Sequence, residues 1–437
     1  MKSTNLLQNF LKNKPDALAF STNFGWLISD KLTRFFMAVF VSAWVARYLG
    51  PERYGVLAYG ITLVSMFQAI GLLGLDNLIV RDVAANPESA HRVLGTALRL
   101  RMMSAAAAYS TMLIVAIALH SDGGVTAAVV ALAGLSIFFQ ISDVIDLWFQ
   151  SQIQSRRTVI AKTSTYLVTA VIKIVMITSG ASLLAFAAAN AIETGLAAMA
   201  LIFSYRRFRT PVPWQWDSGT ALTLLRQSWP LLLSGLSILL YMRVSVVILR
   251  EFADNTSVGV YIVGATLSEM WYFIPMAVAS SIAPIISRRR AEGGDAYKQV
   301  LFKTFAGMWG LSIIVTIINL ITAKYWVQIL YGQQYRDSAG IFALHALTFV
   351  PVCIGVVQSI WLINEGRTRL ALYQALTGAF VALSMNLLLT PGYGVYGAAV
   401  ATVIAQFVQA FVVNAFLAPD LFRLQMRSLR IISAFKS

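Results

Sequence analysis

One cysteine, three histidines and 12% charged residues are all that 437 positions offer to polar chemistry. A lone Cys353 excludes an internal disulfide framework, so cysteine says nothing of the compartment. His91, His120 and His345 lie far apart, and no His/Cys group has metal-ligand spacing. No metal and no other cofactor is expected. Glycine is nowhere followed by lysine, which excludes a Walker A loop within the chain. The first twenty residues hold no continuous apolar core and no small-residue cleavage site. A cleaved signal peptide is therefore not expected, and the first span is expected to act as an uncleaved insertion signal.

What the chain has is apolar mass. Hydrophobic residues make up 58% of it, and its mean hydropathy is +0.70. Soluble domains carry roughly 25% charged and about 45–50% apolar residues. A soluble chain this apolar could not cover its surface, so lipid must face much of it. The net charge is +15. In a soluble protein that would suggest nucleic acid. Here the charges lie between hydrophobic runs rather than in one stripe, and no nucleic-acid partner is expected.

A helix needs about 20 mainly apolar residues to cross the hydrocarbon. That ruler places twelve spans near 22–46, 54–79, 94–119, 125–150, 160–178, 182–204, 224–249, 258–285, 300–322, 340–363, 369–390 and 395–418. With the N-terminus inside, 25 of the 34 Lys and Arg fall in inner segments and 5 in outer loops. That bias orients the chain with both ends cytoplasmic, as expected of an inner-membrane protein. The longest outer loop runs from about Lys324 to Ala339, too short for a domain.

The chain also resembles itself. The turn YLGPERYGVLAYG (48–60) and the turn FADNTSVGVYIVG (252–264) match with Gly55 opposite Gly259 and Gly60 opposite Gly264. Two six-helix bundles of the same orientation are expected, 1–210 and 211–437, the second with a basic tail. In that tail Arg423, Arg427 and Arg430 alternate with Phe422, Leu424, Met426 and Leu429, the pattern of an amphipathic helix on the anionic inner leaflet.

VARYLGPERYGVLAYG followed by LLGLDNLIVRDVA, and later LTPGYGVYGAAVATVIAQ, resembles the polysaccharide transporters of the MOP flippase superfamily, the Wzx-type exporters of O-antigen and related lipid-linked units. The resemblance covers nearly the whole chain, though its motifs are loose Gly/Pro turns. It implies an all-α V-shaped pair of six-helix bundles, working by alternating access, with no enzymatic activity. The implied cargo is an undecaprenyl-pyrophosphate-linked glycan passing from the cytoplasmic to the periplasmic leaflet. The implied partners are membrane lipids, with the polymerase and the chain-length regulator of the same pathway.

Charges within spans are expensive and are where function is sought. Asp30 and Arg34 share a helix face at i, i+4 beside Lys31. Either Arg34 and Lys31 meet a pyrophosphate, or Asp30 and Arg34 pair and anchor the helix. Arg suits phosphate because its planar fork matches two oxygens. Arg243 has no acid within one turn, and either lines a cavity or snorkels outward. Lys173 stands mid-span, where snorkelling is hard. These four are the substrate-binding candidates. Asp30, Asp143, Glu193 and Glu269 are the ion-coupling candidates. Asp143 and Asp146 alternatively pair with Arg156 or Arg157, and Glu193 and Glu269 with Lys173 or Arg243. Asp76 is expected to cap or pair at the inner mouth. Trp148, Trp229, Trp271, Tyr272, Trp326 and Trp361 sit near span ends, where an interfacial belt is the default.

Two other functions compete. A drug or cation extruder of the same superfamily should favour buried acids over buried bases. A membrane polymerase should need a sizeable outer loop.

Overall fold

The computed structural model describes residues 14–119, 124–207, 213–292 and 295–434, with side chains for Met37 and for those between 39 and 429. Among the described residues all regular structure is helical. We number the stretches α1 Lys14–Leu72, α2 Asp76–Ala85, α3 Ala90–Leu119, α4 Val125–Ser151, α5 Ser155–Thr178 and α6 Leu183–Arg207. Then follow α7 Ser218–Phe252, α8 Asn255–Glu292, α9 Asp295–Leu330, α10 Ser338–Asn364, α11 Thr368–Leu417 and α12 Pro419–Ala434.

Among the described residues ten helical stretches are long and apolar enough to cross a membrane. Two of the ten are double. Gly50 (φ 74°) bends α1 beside Pro51, and Gly394 (φ 54°) bends α11 three residues past Pro391. Glycine reaches positive φ without a Cβ penalty, and proline removes a helical donor. The bends fall where the sequence separates spans one from two and eleven from twelve, so ten stretches accommodate twelve crossings. The Gly/Pro turns that carry the family resemblance are these bends.

The chain is a multi-pass membrane protein. Ile321 is 70% and Phe416 80% exposed, which only hydrocarbon makes comfortable. Its residues divide into two compact units. Unit 1 comprises 1–41 and 67–232, and unit 2 comprises 42–66 and 233–437. The core of unit 1 gathers Leu75, Ile79, Leu94, Val144, Phe149 and Leu201. That of unit 2 gathers Ile286, Phe305, Phe349, Ile354 and Phe411 around the free Cys353.

Within unit 2 the two matched turns lie against each other. A Cβ on Gly55 would sit 1.8 Å from the carbonyl oxygen of Asn255, and one on Gly259 would sit 2.1 Å from that of Pro51. The contact is reciprocal, since each glycine meets the residue four before the other. Only two glycines let helix backbones approach so closely.

Two expectations need correction. Trp148 and Trp361 belong to the cores of their units rather than to an interfacial belt. The tail helix α12 packs its apolar residues on unit 2: Leu421 is buried, Phe422, Leu424, Met426 and Leu429 lie partly buried against the core, and the Trp309 indole donates to the Gln425 carbonyl at 3.1 Å.

Candidate functional site

In unit 1 the helix α4 tightens to a 3₁₀ turn at Gln140–Ser142, just before Asp143. Mid-helix turns of this kind often mark functional hinges. Asp143 and Asp146 follow at i, i+3 on one face. Lys162 of α5 reaches both, its Nζ 2.7 Å from Asp143 Oδ1 and 2.7 Å from Asp146 Oδ2. Three turns further along α5, Lys173 Nζ lies 2.7 Å from Glu193 Oε2 of α6. Asp143, Lys162 and Glu193 line a polar cavity of about 150 Å³ with Thr165, Tyr166 and Gln140. The Gln140 Oε1 is buried there without a hydrogen-bond partner.

In unit 2 the fork of Arg243 on α7 meets both oxygens of Glu269 on α8, at 3.3 and 3.0 Å. Such a bidentate pair is among the stronger hydrogen-bonded contacts a protein makes. Glu269 stands one residue before a 3₁₀ turn at Met270–Tyr272, and His345 one before another at Ala346–Thr348. Polar side chains converge around them. Ser245 Oγ is 2.8 Å and Tyr261 Oη 3.1 Å from Thr402 Oγ1, and Tyr272 Oη is 2.6 Å from Thr348 Oγ1. His345 Nδ1, Gln406 Oε1 and Trp271 Nε1 are buried without a hydrogen-bond partner among the described residues.

Of the residues singled out in the sequence, Asp30, Lys31 and Arg34 lie on α1 but outside the described side chains. The other five form pairs. The lone mid-span lysine meets Glu193, and the arginine with no acid within a turn meets Glu269 from the next helix. Asp143 and Asp146 both pair with Lys162. Asp76 does pair, with Arg101 of α3, whose side chain is fully buried. Lys162, Arg101 and His345 are the polar residues that sequence reasoning passed over. The one signal for Lys162 is its spacing of eleven residues from Lys173, which places both on one helix face.

These arrangements differ in charge. Unit 2 sets one cation against one carboxylate. Unit 1 sets Lys162 and Lys173 against Asp143, Asp146 and Glu193, one negative charge in excess when all are ionised. Inside a membrane such an excess invites a proton or a monovalent cation.

No curated protein matches the chain by sequence. Residues 44–340 match the family described as "Polysaccharide biosynthesis protein". Among solved structures the chain is similar to the lipid II flippase MurJ in an inward closed conformation, with TM-score 0.68, 14% identity, and 93% of this chain and 92% of that one covered. It is similar to a multidrug resistance MATE family transporter of the MOP superfamily in its inward-facing conformation, with TM-score 0.69, 15% identity, and coverage of 90% and 96%. A MOP superfamily transporter from Pyrococcus furiosus aligns with TM-score 0.63, 16% identity, and coverage of 94% and 97%. At such identities the likeness is one of fold: the helices are arranged as in MOP-superfamily transporters.

Proposed function

We propose that this chain, which belongs to the polysaccharide biosynthesis protein family and folds as a MOP-superfamily transporter, moves an undecaprenyl-pyrophosphate-linked oligosaccharide from the cytoplasmic to the periplasmic leaflet of a bacterial inner membrane. The observation that carries this reading is the coincidence, on one chain, of a polysaccharide-biosynthesis sequence and a transporter fold.

The ion pairs supply a mechanism. Arg243 and Lys173 are held by Glu269 and Glu193, so an incoming pyrophosphate must replace a carboxylate. Protonating that carboxylate frees the cation. Anion capture is then coupled to proton uptake, and releasing the anion together with that proton restores the pair. Asp143 is a second protonation point in this scheme because Lys162 and Lys173 face three carboxylates. Asp30, Lys31 and Arg34 stay in the reading on sequence grounds alone.

Vesicles holding the purified protein and a fluorescent lipid-linked oligosaccharide test the proposal. Transbilayer movement is expected, read as headgroup accessibility to an impermeant quencher, and Arg243→Ala with Lys173→Ala should abolish it. Undiminished movement in the double variant would sink the charge mechanism. Dye efflux without glycan movement would favour the drug-extruder reading instead.

A further inference from the structure

A cavity of about 880 Å³ opens in unit 2, away from the ion pairs above. Residues of α8, α9, α10, α12 and the turn between α10 and α11 line it. Each of its carboxylates is engaged. Glu365 accepts from Arg290 at 3.0 Å and from the Tyr297 hydroxyl at 2.9 Å. Asp420 accepts from Arg367 at 3.2 Å, and that guanidinium also lies 5.1 Å from the centre of the Trp361 ring. Asp295 lies 3.7 Å from Lys298.

Two guanidiniums are not so engaged. Arg423 and Arg427 line the same cavity from one face of α12, one turn apart, with no ion pair among the described residues. Their helix cannot roll away. Beyond the Trp309 contact, the Gln425 side chain donates to Gln358 Oε1 at 3.0 Å, within a buried amide cluster that includes Asn414 and Gln374. The two cations are thus held in place over a cavity whose own acids are taken. They lack an anion.

The wall tells what kind of anion. Phe302, Leu424 and Trp361 line the cavity beside the cations, which suits an amphiphile and is wasted on a small ion. By the Lys/Arg bias this end of the chain faces the cytoplasm, where the leaflet is rich in anionic lipid. From these features we infer that the cavity binds the phosphodiester headgroup of an anionic membrane phospholipid, with Arg423 and Arg427 on its phosphate and an acyl chain along Phe302 and Leu424. The inference does not depend on what the protein transports.

Native mass spectrometry of the full-length protein in detergent, titrated with phosphatidylglycerol or phosphatidylcholine, tests it. The wild type should retain phosphatidylglycerol in preference. Each basic residue near a membrane surface contributes about fivefold in affinity, so Arg423→Gln with Arg427→Gln should weaken retention about thirty-fold. Arg423→Lys with Arg427→Lys should keep most of it. Equal retention by the glutamine variant, or of the two lipids by the wild type, overturns the proposal. Displacement of the lipid by millimolar inorganic phosphate also overturns it, by marking a site for a free anion. Both side chains are exposed, so the glutamine variant should melt as the wild type does without lipid. Should it not fold, Arg427→Gln alone, with an expected fivefold loss, carries the same test.

Discussion

A single methyl group at Gly55 should unsettle unit 2 more than any other small substitution. The added Cβ would stand 1.8 Å from the Asn255 carbonyl oxygen and 3.0 Å from the Gly259 nitrogen, where ordinary contact begins at 3.4 Å. The obstacles are backbone atoms, so no side chain can swing aside. The helices must part by about 1.6 Å, the difference between 3.4 and 1.8 Å. Overpacking of this sort costs about 1–3 kcal/mol, and a backbone clash belongs at the upper end. Gly235 and Gly355 are the controls, since a Cβ on either meets nothing within 4 Å. Alanine there should be neutral or gain up to about 1 kcal/mol of helix propensity. The contrast between Gly55→Ala and Gly235→Ala should therefore approach about 4 kcal/mol. The reciprocal geometry sharpens the test. Gly259→Ala clashes at 2.1 Å with Pro51, and the separation that relieves one clash largely relieves the other. The double variant should then lose about 3 kcal/mol rather than about 6, a coupling at the upper limit seen between touching residues. Thermal or SDS-induced unfolding of the purified protein in detergent measures all five variants. A Gly55→Ala protein that melts like Gly235→Ala, or a double variant with additive loss, would refute the reasoning.

Other perturbations follow from the polar contacts. Glu193→Gln strands Lys173 inside the membrane and should destabilise unit 1 by about 3 kcal/mol, the low end for breaking a buried pair, while Lys173→Glu with Glu193→Lys should restore the melting point. Gln358→Leu removes the acceptor of both Asn414 and Gln425, and should lower stability by about 1–3 kcal/mol in the same unfolding assay. Asp217, just before α7, is held below the ordinary aspartate pKa by the Thr220 hydroxyl and then the Thr220 amide, both donating at 2.6 Å, with a smaller contribution from Arg92. Its folded pKa is depressed, so its contribution is complete above the unfolded value of about 3.9 and vanishes as pH falls through the folded one. Asp217→Asn keeps the acceptor but cannot titrate, and should flatten the melting temperature between about pH 5 and pH 3.

The crossings were legible because the cost of inserting a helix is summed along that helix, and hydropathy reports that sum. The bends at Gly50 and Gly394 were legible for the same local reason: a positive φ and a nearby proline are written within a few residues of sequence. So were the charges inside spans, because each raises the insertion cost of its own segment. Which acid each base would meet was only partly legible: the sequence offered Glu193 and Glu269 as partners for Lys173 or Arg243 without choosing between them. Arg243 and Glu269 are 26 positions apart, Lys173 and Glu193 are 20 apart, and Arg101 and Asp76 are 25 apart. Their helices lie side by side only once the units pack, and the insertion cost of one segment holds no record of its neighbour. Arg101 shows the consequence, since a charged side chain near the start of its span is fully buried. The tail helix shows it again: its amphipathic pattern is real, but unit 2, not lipid, takes the Leu421 and Gln425 side, leaving Arg423 and Arg427 exposed. Gly55 and Gly259 stand between the two cases. The sequence alone matched them as like positions in like turns, and tertiary packing decided that they touch, because only backbones without a Cβ on either side can come that close.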